Sequence, residues 1–243
     1  MDARHAELKT LFGKECRHLF RSPLALISVL FFLLGCGIPH YFPLGTVTTD
    51  SFSFTRYLSR IPFVAILLFP VLTMGLWTNE RRGGTDAILF SMPVSDLLIV
   101  SGKFTAVFAL YLSMLLLSLP VAFTLPVYPG TGILLCSYSS LMLYGALSLS
   151  AGLLVSVSSP NQAVAFLVTA VLLLAFNTIQ LLPGATALPA AASFLCSRLS
   201  FAWHFETASR GILDSRDILF FILPTAACLG LSSVLLGRRR YRS

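Results

Sequence analysis

From Phe104 to Ser197 the chain runs for 94 residues without one Asp, Glu, Lys, Arg or His. A soluble domain carries about a quarter charged residues, so a stretch this long cannot cover itself with a hydrated surface. The remainder of the chain agrees: only 11% of all residues are charged, 56% are apolar and mean hydropathy is +0.84. The sequence therefore predicts an all-α integral membrane protein. About 20 residues cross about 30 Å of hydrocarbon, so 243 residues hold five or six helical spans with modest loops and no separate soluble domain.

Apolar runs and their breakers predict six spans, at 23–42, 61–77, 97–125, 132–157, 162–182 and 217–236. Turn residues occupy the short connections, and Pro160-Asn161 is a helix stop followed by an N-cap. Lys and Arg set the sidedness. Residues 1–22 carry five, 77–103 three and the tail after Leu236 four, against five on the other side: Arg56, Arg60, Arg198, Arg210 and Arg216. By the positive-inside rule both termini are cytoplasmic, with external loops at 43–60, 126–131 and 183–216. The three-part organisation expected is a cytoplasmic helix at 1–22, a transmembrane domain at 23–236 and a basic tail at 237–243.

The net charge of +7 lies beside apolar spans, so it orients the chain in a membrane and calls for no nucleic acid. Cys16, Cys36, Cys136, Cys196 and Cys228 are scattered, with no histidine at metal spacing, so neither a disulfide framework nor a metal site is expected. Residues 1–22 contain three acids and are patterned, which argues against a cleaved signal peptide. Leu8, Leu11, Phe12, Cys16, Leu19 and Phe20 recur at three- and four-residue steps, with Lys9, Lys14, Glu15 and Arg17 mostly off that stripe. That pattern fits an amphipathic helix on the inner leaflet, or equally a helix packed on other cytoplasmic helices.

Ionisable residues inside hydrocarbon cost on the order of 2.5–3.5 kcal/mol and commonly mark ion pathways. The spans offer almost none. Lys103 near the start of the third span is expected to snorkel to the interface, while His40 and Asp217 stand at span ends. Ion-driven transport thus loses its most direct support. Serines within the spans serve helix packing or line a pathway; Asn177 and Gln180 are costlier there and should face a partner helix or a dimer axis. Pro70 and Pro120 are expected to kink their helices.

The connection at 78–96 holds the densest chemistry. A charged cluster, Glu80-Arg81-Arg82, leaves the membrane; Gly83-Gly84 permits a sharp turn; Thr85-Asp86 can cap a short apolar helix that Pro93 ends. On residues alone this is a re-entry hairpin or a docking element. Glu80-Arg81-Arg82-Gly83-Gly84-Thr85, Leu89, Met92-Pro93-Val94-Ser95 and Val100-Ser101-Gly102-Lys103 resemble the spaced motif of ABC-2 type permeases, departing from it in the doubled glycine and Asp86. Phe12-Gly13-Lys14-Glu15 with Phe20-Arg21-Ser22-Pro23, Asn161-Gln162, and Trp203-His204-Phe205 with Gly211-Ile212-Leu213-Asp214-Ser215-Arg216-Asp217 are similar to segments of the gliding-motility-associated and nitrous-oxide-reductase-maturation branch.

That resemblance implies a permease subunit of an ATP-driven transporter, an exporter in the bacterial inner membrane. It implies two copies of a separate ATPase that bind ATP and Mg, a second permease copy as homodimer partner or a similar permease, and a periplasmic accessory membrane protein. The chain itself has no G-x-x-x-x-G-K-[ST] loop to hold a nucleotide, so it is expected to bind no cofactor and to be no enzyme. Phe12, Lys14, Glu15, Arg17, Glu80, Arg81, Arg82, Thr85, Leu89 and Pro93 would form the ATPase-coupling surface. In the 183–216 loop, Phe201, His204, Phe205, Gly211 and Asp214 would belong to an external gate helix, the plainer reading being a connector with His204 a polar anchor. Two other classes stay open at this point: a non-transporting scaffold of a motility or assembly complex, and an ATP-independent secondary transporter.

Overall fold

The computed structural model describes residues 13–41, 54–84, 94–123, 130–179 and 214–240, and seven helices lie among them. They are α1 Gly13–Phe20, α2 Pro23–Tyr41, α3 Phe54–Gly83, α4 Asp96–Phe123, α5 Thr131–Ser158, α6 Gln162–Thr178 and α7 Ser215–Arg240. Helices stand at all six places where spans are predicted. Four are long and apolar enough to cross a membrane: Ile61–Gly83 within α3, Asp96–Pro120 within α4, all of α5 and all of α7. These make the chain a multi-pass membrane protein. α1 and Pro23–Gly37 of α2 meet that measure together as a pair bent by 69°, while α6 is apolar but shorter over its described length.

Local chemistry explains the boundaries. Ser22 accepts from Ala25 N at 3.2 Å and donates to Leu19 O at 2.8 Å, so one hydroxyl ends α1 and caps α2, with Pro23 at the first helical position. Gly84 closes α3 with φ +65°, where a β-carbon would be strained. Asn161 Oδ1 accepts from Val164 N at 2.9 Å, making it the cap of α6 that the sequence predicts. α3 extends beyond its apolar core because polar residues at the membrane boundary do not oppose helix; Pro62, Pro70 and Pro120 all lie inside helices that continue past them.

α5 is the centre of the bundle and packs on α3, α4, α6 and α7. Its buried face is rich in small residues, including Ser137, Gly145, Ser148, Gly152 and Ser156. Hydrocarbon gives helices no hydrophobic drive to associate, so close approach over small residues supplies the contact. A β-carbon on Gly152 would come within 2.9 Å of Thr73 Cβ on α3, and one on Gly145 would overlap the Tyr111 ring of α4. The outer helices bury only narrow stripes: Ala25, Ser28, Phe32 and Cys36 on α2, and Ala165, Thr169, Leu173 and Asn177 on α6. Their other faces expose leucines, valines and phenylalanines, as a lipid-facing surface requires.

Candidate functional site at the charged end of the bundle

The start of α4 and the ends of α3, α5 and α7 converge at one end of the bundle together with α1 and the start of α6. Lys103 is the organising residue. Its side chain is 3% exposed, and its Nζ lies 2.5 Å from Glu80 Oε1 of α3 and 3.4 Å from Glu15 Oε1 of α1. The ammonium also sits 5.1 Å from the centre of the Trp77 ring, a cation–π distance. The expected snorkelling of Lys103 to the interface is therefore corrected. Two carboxylates and an aromatic face replace its hydration inside the bundle, so the ammonium need not reach water.

Arg81 turns the opposite way. Its Nη1 donates to Ser159 O at 2.6 Å and its Nη2 to Val157 O at 2.8 Å. These carbonyls belong to the end of α5, where helix geometry leaves acceptors without intrahelical donors and the dipole favours a cation. α3 and α5 are joined again two turns earlier on α3, where Ser156 Oγ donates to Met74 O at 3.3 Å, and Asn79 accepts from Gln162 at the start of α6. α7 closes the ring of contacts. Arg240 Nη1 lies 3.2 Å from Asp96 Oδ1 and 3.1 Å from Val94 O, and Arg239 donates to Ser158 O at 3.3 Å.

Of the residues named from sequence, Glu15 and Glu80 meet through Lys103, Arg81 is committed to α5, and Lys14, Arg17 and Arg82 are exposed. Phe12, Thr85, Leu89 and Pro93 lie outside the described residues, as do Gln180, Phe201, His204, Phe205 and Gly211. Asp214 starts α7: its Oδ1 accepts from Arg216 N at 3.2 Å and its carbonyl from Asp217 N at 3.0 Å. Asn177 points inward, donating to Tyr144 Oη at 3.1 Å and Leu173 O at 2.8 Å. On α1 the Cys16 thiol is pushed above its ordinary value of 9.0, by burial first and by the neighbouring Glu15 second. No group of three or more metal-capable side chains comes together among the described residues.

Sequence reasoning did not anticipate Trp77, Asp96 and Arg240 as members of this cluster. The available signal was Lys103 itself: a lysine set inside an apolar helix, with acids flanking other spans, points to an internal partner. Comparison with protein-family models finds none that matches the chain, and comparison with curated proteins finds no match either.

Proposed function

We propose that this chain is the membrane-spanning subunit of an ATP-driven exporter of the ABC-2 permease type, with six spans (α2 to α7) and both termini in the cytoplasm of a bacterial cell. One observation supports this reading above others. Three stretches of the resembling motif, far apart in sequence, meet at a single buried cation: Gly13-Lys14-Glu15 from α1, Glu80-Arg81-Arg82 from α3 and Val100-Ser101-Gly102-Lys103 from α4. An element that reports the state of an outside motor to several helices at once needs such a junction. The coupling surface would be α1 with the end of α3 and the segment at 85–93, docking a separate ATPase that carries ATP and Mg. The complex would hold two ATPases and two permeases, as a homodimer or with a similar chain.

The test is affinity purification of the full chain from its native membrane, with mass spectrometry and an ATPase assay on the eluate. The expected result is a stoichiometric nucleotide-binding protein whose stimulation falls in Arg82→Glu. Arg82 is the informative position because it is exposed, whereas reversing Glu80 or Arg81 would also break contacts inside the bundle. Recovery of the chain alone, or with partners that hydrolyse no ATP, overturns the reading in favour of a scaffold or secondary carrier.

A further inference from the structure

One side of α1 is exposed. Glu15, Cys16 and Leu19 are partly buried, Glu15 on Lys103 and Leu19 on the core, while Lys14, Arg17, His18 and Arg21 recur at three- and four-residue steps along the exposed side. None of the four has an acidic partner among the described residues. With Gly13, Ser22 and Pro23 they line an open groove of about 850 Å³ that runs along α1 to its 69° bend into α2. At the bend the surface changes character: Phe20 at the end of α1 is 45% exposed, and Leu24, Leu26 and Ile27 beyond it are 39%, 65% and 66% exposed.

We propose that this groove binds the headgroup of an anionic phospholipid. Three cations and an imidazole line one face of α1 just before the apolar start of α2, and a phosphodiester there pairs with neighbouring members through its oxygens while its acyl chains lie along the apolar face of α2. An acidic segment of a soluble protein would match the cations but not the exposed leucines and isoleucine beside them. The assignment narrows the reading above: Lys14 and Arg17 go to the membrane, and the ATPase-coupling surface is confined to the end of α3 and the segment at 85–93. It rests on the membrane character of the chain and not on the ATPase.

The experiment uses the full chain alone, reconstituted in nanodiscs of phosphatidylcholine and phosphatidylglycerol, with retained lipid quantified by mass spectrometry after detergent exchange. Wild type is expected to retain phosphatidylglycerol preferentially. Arg17→Gln with Arg21→Gln should lower that retention by about fivefold for each arginine, Arg17→Lys with Arg21→Lys should keep most of it, and Arg238→Gln, an exposed arginine at the same end, should leave it unchanged. An unchanged thermal midpoint in the glutamine variant shows that it has folded. Equal retention in that variant, or equal loss in Arg238→Gln, overturns the site; displacement by inorganic phosphate at constant ionic strength overturns a lipid in favour of a free anion. No arm contains an ATPase, so failure here leaves the permease reading standing, and failure of ATPase capture leaves this site standing.

Discussion

The Tyr111 ring of α4 lies directly on the Cα of Gly145 in α5, so that a β-carbon at position 145 would occupy the same space as the ring. Tyr111 has little freedom to yield: it is fully buried, its Oη donates to Leu141 O at 2.9 Å, and Phe69 meets it edge-on at 5.0 Å. Gly145→Ala should therefore destabilise the protein by about 1–3 kcal/mol through overpacking. Gly230→Ala in α7, where a β-carbon meets nothing within 4 Å, should be neutral or gain up to about 1 kcal/mol from helix propensity. Thermal midpoints in detergent separate the two, and equal midpoints would refute the close approach.

Removing the ammonium of Lys103 strands two carboxylates. Losing one partner of a fully buried pair costs about 3–5 kcal/mol; Glu15 and Glu80 keep 14% and 20% exposure, so Lys103→Met should cost less, about 2–3 kcal/mol. In double-mutant cycles with Lys103→Met, Glu80→Gln should couple more strongly than Glu15→Gln, following the 2.5 and 3.4 Å separations. The reverse order would show that α1 carries the dominant contact.

Arg81→Ala should lose about 2 kcal/mol, because two carbonyls at the end of α5 lose charged donors. Arg81→Lys should recover less than half of this, since a single ammonium cannot reproduce the guanidinium fork. Chemical unfolding of the three proteins decides it, and full recovery by lysine would mean that charge alone matters.

Cys16 offers a pH-dependent probe of α1. A thiol held above its ordinary value of 9.0 carries less thiolate at neutral pH, so alkylation of a variant retaining only this cysteine should be slow at pH 7 and still rising past pH 9. Glu15→Gln removes the smaller of the two causes and should speed the reaction at fixed pH. With the proposed orientation an impermeant maleimide labels it only from the cytoplasmic face; labelling from outside would invert the topology.

The helices were legible in the sequence because hydrocarbon imposes one demand, satisfaction of every backbone group, and apolar runs answer it. Ends were legible where a side chain does the capping, as at Asn161, and less so where a helix continues through polar residues, as α3 does from Trp77 to Gly83. Glu15, Glu80, Arg81 and Lys103 were singled out, but their pairings were not. Which charge meets which depends on how α1, α3, α4 and α5 are stacked, and local sequence carries no record of stacking. Lys103 illustrates the point: on its own helix it stands one step from water, and only the neighbouring helices turn it into an interior residue.

The length of α3 has a mechanical consequence. Thirty residues at 1.5 Å each make a rod of about 45 Å, half as long again as the hydrocarbon it crosses. Pro62 and Pro70 each omit a rung of hydrogen bonds in its first two-thirds, while the stretch from Val71 to Gly83 has none missing for this reason. Stiffness is thus unevenly distributed, greatest beside Glu80 and Arg81 and relieved toward the far membrane face. A bending load on α3 would therefore be taken up around Pro62 and Pro70, while the charged end kept its helical geometry.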